Sequence, residues 1–578
     1  MSRLNRETLF KIARSARRQP TSEIRPPRAA GSAAPGRGGR QHLGARRMTG
    51  YTVLVMIALV LSKFTGQIRD ILAVSLFRHG DLTDAYIQGF LIPDFVYELL
   101  IGGSIQAAII PTLSGSLERG EGRRGWHSVS ILISYACVTM LAVVLVGEIA
   151  APLLLAPLTS ATTLPLATQV TRVLFPQTYL MMLAALSIGV LNAYNRFDRT
   201  AFGPVVYNLC VIVSLLVFGH PSADAVVRVA AGVTASALVF FLLQAGLARR
   251  ELQNFRPSLD HRDPGFRRLL IIALPTLAAS AIPPFNNILL NAIIQSVGLP
   301  AGSTTSLRNA TTLWMLPWGV FAVAVGQVML PSLSALNASG RYREAGELLG
   351  ASLRRALFLT IPSGVIYLAL RQDIVRAVFQ WRVSSYGESA VEMTAGLLLF
   401  YSVTIVTHTF VYITNQAFFS IRNTRIPLLG SLLSMFLTTT LGYLGARFTP
   451  LGTGGLSLGY ASASLINAVV LQLLYRRTHP RGRARDMRPF VTAAVPAAVF
   501  TLLALLVVEW LAMRSAFFPA GKLVQLLWLA LRVALGFLVW FLSSIALGVQ
   551  EALALVKRLL SLFGFVRRGA DSGVKRRL

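Results

Sequence analysis

The sequence has little of what soluble chemistry uses. Only 14% of its 578 residues are charged, and just 24 are Asp or Glu, too few to solvate the surfaces of several water-soluble domains. Its two cysteines, Cys137 and Cys210, both lie in apolar runs. They offer neither a disulfide framework nor a thiolate metal site. The seven histidines are scattered, with His408 inside an apolar segment, and neither HExxH nor GxxxxGK(S/T) occurs. Zinc-hydrolase and P-loop ATPase chemistry therefore lack their apparatus.

What is abundant is apolar length. Hydrophobic residues make up 54% of the chain, and mean hydropathy is +0.59. A helix needs about 20 apolar residues to cross roughly 30 Å of hydrocarbon. Runs of that length, cut at charges and at Pro and Gly clusters, predict an all-α integral membrane protein of about fourteen transmembrane helices between residues 51 and 548. The excess of 55 Lys and Arg over 24 acidic residues, +31 in all, sits between these runs. Nucleic-acid binding is thereby set aside, and membrane lipids become the expected partners of the basic loops.

Loop charge tests the span count, because cytoplasmic loops carry the excess of Lys and Arg. With fourteen spans, 40 basic residues fall on the side shared by both termini and seven on the other: Arg78, Arg371, Arg376, Arg382, Arg447, Arg514 and Lys522. One span more or fewer would invert every later loop and erase the asymmetry. A multi-pass membrane protein with both termini on the cytoplasmic side is expected. Residues 1–50, rich in Arg, Gly, Pro and Ser, read as a disordered basic tail. A first six-helix lobe is expected at 51–247, a cytoplasmic linker at 248–268 and a second lobe at 269–478. Two extra helices follow at 489–548, then a basic tail at 549–578.

The two lobes read as repeats. Pro111-Thr112-Leu113-Ser114 recurs as Pro331-Ser332-Leu333-Ser334, an offset of 220, and Asn192-Ala193-Tyr194 recurs as Gln416-Ala417-Phe418, an offset of 224. Each pair is six spans apart on one membrane side, so the repeats are parallel. Such pairs transport by rocking about a site at their interface.

Charges within the spans are expensive, on the order of 3 kcal/mol each near the bilayer centre. The first span carries three. Helical spacing places Lys63, Gly66 and Asp70 on one face with Arg69 about 120° away, and Lys63 falls about 18 Å into the span, too deep to reach an interface easily. Lys63 is therefore expected to line a cavity. Arg69 and Arg308 fit ligand contact or snorkelling, Asp70 ligand contact or an ion pair, and Asp84 a gating counter-ion or a helix cap. Asp94, Glu98 and Arg172 are bundle-interior candidates.

At these residues the chain resembles the MurJ/MviN family of lipid II flippases, within the multidrug/oligosaccharidyl-lipid/polysaccharide exporter superfamily. The stretch Ser62-Lys63-x-x-Gly66-x-x-Arg69-Asp70 carries the likeness, with Thr83-Asp84-Ala85, Pro93, Gly103, Pro111, Phe175-Pro176, Leu316-Pro317 and Leu330-Pro331-Ser332-Leu333-Ser334. The resemblance implies two six-helix lobes around a V-shaped cationic cavity, plus two extra helices. It also implies cavity residues at Lys63, Arg69 and Asp84, a lipid-linked oligosaccharide precursor as substrate and a place in the bacterial cytoplasmic membrane. Lys63, Arg69 and Arg308 are then the expected substrate-binding cations, and Asp70 and Asp84 the expected counter-ions or gate against an anionic headgroup. No cofactor is expected beyond coupling to a monovalent cation or the membrane potential, and a monomer is expected. Four positions depart from the family pattern. Tyr97-Glu98 stand where two arginines are usual, Gly102 replaces a glutamate, and Thr312 replaces an arginine for which Arg308, one turn earlier, is the stand-in. Export of another lipid-linked glycan or of a drug-like cation, or a transport-inactive envelope scaffold, are the alternatives.

The topology yields a direct expectation. In a background lacking Cys137 and Cys210, a cysteine at Asn254 should resist a membrane-impermeant label in intact cells, while one in the 157–164 loop should react. Labelling at Asn254 would overturn the fourteen-span arrangement.

Overall fold

The computed structural model describes residues 38–101, 104–479, 487–514 and 521–562. Among them every regular element is helical. In order these are α1 (Gly38–Phe77), α2 (Asp81–Ile101), α3 (Ser104–Glu118), α4 (Gly122–Leu155), α5 (Leu164–Ala193), α6 (Phe197–Thr200), α7 (Gly203–Phe218), α8 (Ala223–Leu247), α9 (Arg249–Leu252) and α10 (Pro264–Val297). There follow α11 (Ser303–Trp318), a π-helical turn (Gly319–Val323), α12 (Ala324–Ala338), α13 (Tyr342–Ala369), α14 (Arg371–Phe379), α15 (Glu388–Ser420), α16 (Arg425–Phe448), α17 (Gly454–Thr478), α18 (Arg488–Arg514), α19 (Lys522–Ala546) and α20 (Gln550–Leu562).

Each of the fourteen predicted segments falls on a helix, but ten of the described helices are long and apolar enough to cross a membrane, or eleven if α13 and α14, bent by 83°, form one span. The first, second and seventh predicted spans fall outside the ten, and the ninth is the bent pair. The first and second hold Lys63, Arg69, Asp70, Asp84, Asp94 and Glu98. The structure thus leaves the count at ten or eleven by composition alone. The first helix also begins at Gly38, thirteen residues inside the segment read as a disordered tail. Residues 1–37 of that tail, Gly102, Gly103, 480–486 of the last basic loop, 515–520 and 563–578 lie outside the described residues.

Long side chains left bare along α4, α7, α16, α18 and α19 form the apolar exterior of a membrane protein. Examples are Ile149, Leu216, Phe436, Trp510 and Leu527, each more than half exposed. Backbone polar groups within hydrocarbon must be satisfied internally, and helices do this. Where two helices lack bulk they close up. A Cβ on Gly455 would lie 2.3 Å from Gly445 and one on Gly459 2.2 Å from Gly442, the small-residue contact that substitutes for hydrophobic attraction in lipid. The run Gly455-Leu456-Ser457-Leu458-Gly459 formally matches a hydrolase nucleophile elbow. It lies inside α17, and Ser457 is fully buried, donating to the Gly454 carbonyl.

The repeat is visible in the backbone. Ser104–Glu118 and Ala324–Ala338 are both fifteen residues long with proline at the eighth. The turns that follow share positive φ at Gly120 (75°) and Gly340 (72°). Glu121 N–H donates to Ser116 and Arg341 N–H to Leu336, again at an offset of 220. At the second match, Arg196 N–H donates to Leu191, and the equivalent Asn423 N–H donates to Phe418, with positive φ at Asn195 and Arg422. This offset is 227, which corrects the 224 read from side-chain similarity.

The linker between the lobes lies along α4: Arg256 and Ser258 N–H groups donate to Ser130 and Ser134, and the Ser128 hydroxyl donates to Asp263 at 2.7 Å. Asp263 also caps α10 through Phe266 N–H. Burial would raise its carboxyl, but these hydrogen bonds hold it below the usual range.

The last two helices are clamped by Arg532, 4% exposed, which pairs with Asp373 at 3.1 Å and with Glu509. Removing the arginine strands Glu509 and leaves Asp373 with only Arg376, at 3.8 Å. Arg532→Ala is expected to destabilise by roughly 2 to 4 kcal/mol, the lower part of the buried-pair range because both partners keep some exposure. Arg532→Met combined with Glu509→Leu should lose less. Thermal unfolding of the purified protein measures both.

Candidate functional site: a charged cavity between α1, α2, α5, α7, α10 and α11

One face of α2 builds a wall. Tyr86, Phe90, Asp94, Tyr97 and Glu98 recur at helical spacing, and all line a cavity of about 630 Å³. Arg69 and Asp70 of α1, Gln177 of α5, Tyr207 of α7, Ser280 and Asn287 of α10 and Arg308 of α11 complete it. Asp70 is the hinge of its electrostatics. Arg69 donates to it through Nε at 3.0 Å and Nη2 at 2.9 Å, and Arg308 approaches to 3.8 Å. Arg69 Nη1 also donates to Asn208 at 3.2 Å, and Asn208 is anchored to the Ser62 carbonyl at 3.1 Å.

Of the residues singled out in the sequence, Arg69, Asp70 and Arg308 therefore meet. Arg308 reaches the cavity while Thr312 turns its hydroxyl back to the Arg308 carbonyl. Lys63 does not join them. It is exposed on α1 and is not among the residues lining the cavity. Arg172 is likewise elsewhere, donating to the Glu148 carbonyl. Asp94 and Glu98 do line the cavity. A sign of this was present in the sequence, since two acids one turn apart beside Tyr97 have no reason to face lipid. Asn208, Gln177 and Tyr207 were missed because uncharged polar residues inside membrane helices carry no distinctive signal.

The cavity is not the cationic one the resemblance implied. Two arginines face three carboxyl-bearing residues, Asp70, Asp94 and Glu98, and Tyr97 with Glu98 occupy the positions where arginines are usual.

Asp84 lies apart, 5% exposed, against the N-terminus of α11. It accepts from Gly302 N–H at 2.7 Å, from Thr305 N–H at 2.8 Å and from the Thr305 hydroxyl at 2.5 Å. Its partners are thus the positive end of a helix dipole in the second lobe rather than Lys63 or Arg69. Around it the lobes meet. Gln88 donates to Thr304 at 3.2 Å, His79 N–H donates to the Ser385 carbonyl at 2.8 Å, and the His79 imidazole pairs with Ser306 at 2.8 Å. Gly302 is required twice over: its φ is +86°, and a Cβ there would lie 2.0 Å from the His79 ring. This closure is at the end of the bundle opposite the strongly basic loops.

A helical membrane bundle with two repeated lobes, a charged cavity between them and a sealed end has the make-up of an alternating-access transporter. The family model of the lipid II flippase MurJ matches residues 73–554, and the chain belongs to that family. Similar proteins include a probable lipid II flippase MurJ of Rhizobium meliloti, 27% identical over 88% of this chain and 95% of its own. Another is the lipid II flippase MurJ of Burkholderia cenocepacia, 26% identical over 72% and 82%. Among solved structures, a lipid II flippase MurJ in an inward closed conformation gives a TM-score of 0.70 at 20% identity, over 85% of this chain and 98% of that one. An inward-facing multidrug resistance MATE family transporter gives 0.63 at 17% identity, over 74% and 98%. These structures share the fold.

The closure is expected to respond to charge. Asp84→Asn removes the anion from the α11 terminus and should shift the lobes toward opening at that end by about 1 to 2 kcal/mol, read as increased reactivity of a cysteine placed at Ser303. Burial pushes His79, in the loop between α1 and α2, down from its ordinary 6.5 to about 4, against the raising effect of the Gly302 carbonyl as an acceptor. The closed arrangement therefore favours neutral imidazole. Its contribution is full above about 6.5 and is lost as pH falls toward 4, so acidification should open the same end and His79→Gln should blunt the response.

Proposed function

We propose that this protein moves an undecaprenyl-pyrophosphate-linked peptidoglycan precursor, lipid II, from the inner to the outer leaflet of the bacterial cytoplasmic membrane, as a monomer with both termini in the cytoplasm. Family membership supports the reading. The observation that carries it is the Arg69–Asp70–Arg308 cluster in a cavity deep between the lobes. An arginine pair held by one carboxylate is a pre-formed anion site: the guanidinium forks suit phosphate, and Asp70 keeps them paired when no ligand is present. An entering pyrophosphate competes with Asp70 for the same donors. Release follows when the lobes rearrange and Asp70 regains them, a difference in contacts between states that any alternating cycle needs.

On this reading the sealed end is the outer gate, and the Asp84 contact with α11 breaks during each cycle. The headgroup is anionic, so its outward movement gains about 2.3 kcal/mol per charge per 100 mV of inside-negative potential. Coupling to the potential, or to a monovalent cation, follows as part of the proposal. Lys63, exposed below Arg69 on α1, would contact the headgroup on entry.

A second reading, export of a drug-like cation, draws on Asp94 and Glu98. The two separate in cells depleted of their own lipid II flippase. Expression of this chain should restore accessibility of lipid II to an outside probe, and Arg69→Ala or Arg308→Ala should each reduce it about tenfold or more, the loss expected for a charge-assisted contact. Arg308→Thr with Thr312→Arg should recover part of the loss. No restoration, with efflux of a cationic dye instead, would favour the second reading.

A further inference from the structure

The acidic wall of the cavity is unexplained by an anionic substrate. Asp94 lies thirteen residues into α2, about 20 Å along the helix, and its surface is open to the cavity. Glu98 follows one turn later. No hydrogen bond or ion pair engages either carboxylate among the described residues, and like charges at this spacing repel. Arg308 and Arg69 act on Asp94 only at longer range, Glu98 has no such cation, and a carboxylate without a contact partner at this depth is expensive. A second, independent observation lies in the same lining. Gln177, 7% exposed, also lines the cavity. Its amide nitrogen donates to the Tyr207 hydroxyl at 3.2 Å, while its Oε1 is buried with no partner. A buried acceptor of this kind asks for a donor.

We infer that Asp94, Glu98 and Gln177 Oε1 form a subsite for an ammonium group carried by the same ligand whose phosphate is held by Arg69 and Arg308. The inference rests on the transport reading above and specifies its substrate as a headgroup with both signs of charge. An ammonium group offers three N–H donors of tolerant geometry, matching two carboxylates and one amide oxygen. A bare metal ion fits less well, since among the described residues no three His, Cys, Asp or Glu side chains group closely enough to enclose one. One cavity of about 630 Å³ holds both walls. A single ligand carrying both charges satisfies them together, whereas an anion alone would meet Asp94 and Glu98 as repulsion.

The test uses the full chain in nanodiscs and two preparations of lipid II, one with the free stem-peptide amine and one with that amine acetylated. The wild type should bind the free-amine form on the order of tenfold more tightly, as a charge-assisted hydrogen bond requires. Asp94→Asn with Glu98→Gln should bring the two to within about twofold. Gln177→Leu should narrow the gap less, and it provides the measurement if the double variant does not fold. Equal wild-type affinity for the two forms overturns the ammonium subsite and leaves the lipid II reading intact. If binding of both forms instead depends on added sodium or potassium chloride, and that dependence disappears in Asp94→Asn with Glu98→Gln, the wall holds a free inorganic cation and the proposal is wrong. Absence of binding by either form overturns both readings.

Discussion

A charge deep in a bilayer must find a partner or water, and the functional half of this structure follows from how that demand is met. Asp70 meets it by taking Arg69 at 2.9 Å and standing 3.8 Å from Arg308. Because Arg69 and Asp70 sit on α1 and Arg308 on α11, the pairing ties an element of the first lobe to one of the second. Asp84 meets the same demand without a cation, by accepting the N–H groups that open α11. One helix of the second lobe is thus gripped by carboxylates at two levels, at its first turn and one turn further in. Any movement that separates the lobes has to exchange both contacts for something of similar strength.

The two grips differ in what can replace them. A phosphate can take the arginines from Asp70, since guanidinium forks accept either anion. Nothing in a headgroup replaces the backbone of α11 for Asp84, and water or a proton is the natural substitute. Ligand chemistry therefore acts on the cavity, and solvent chemistry on the closure.

Much of this was legible in the sequence, and the limits are physical. Charges within apolar runs marked Arg69, Asp70, Asp84 and Arg308, because side chains that expensive are rarely placed idly. The fold class followed from run length, and the repeat from the proline motifs at 111 and 331. Lys63 was misplaced because helical spacing gives a residue's angle but not what stands opposite: it shares the face of Asp70 but lies two turns away along α1, exposed and beyond the residues that line the cavity. Asp84 could be read as a cap, but of its own helix. That it caps α11, more than two hundred residues later, is a fact of tertiary structure. Gln177 and Asn208 looked like ordinary helix residues until the cavity and Arg69 were placed beside them.

The difference between the two repeat offsets, 220 and 227, means that the second lobe carries seven more residues across its third and fourth helices. Three lengthen α15 relative to α5, which run for 33 and 30 residues. The other four lie before it, where the single helix α4 of the first lobe is answered by α13, a sharp bend at Leu370, and the short α14. That short helix is what the final pair of helices holds: Arg532 reaches its Asp373, and Lys522 donates to the carbonyls of Arg376 and Gln380. A duplicated bundle with identical halves would present two equivalent berths for an added helical hairpin. Here the insertion creates one, so the two halves of a symmetric machine became distinguishable, and the additional pair rides with the second half alone.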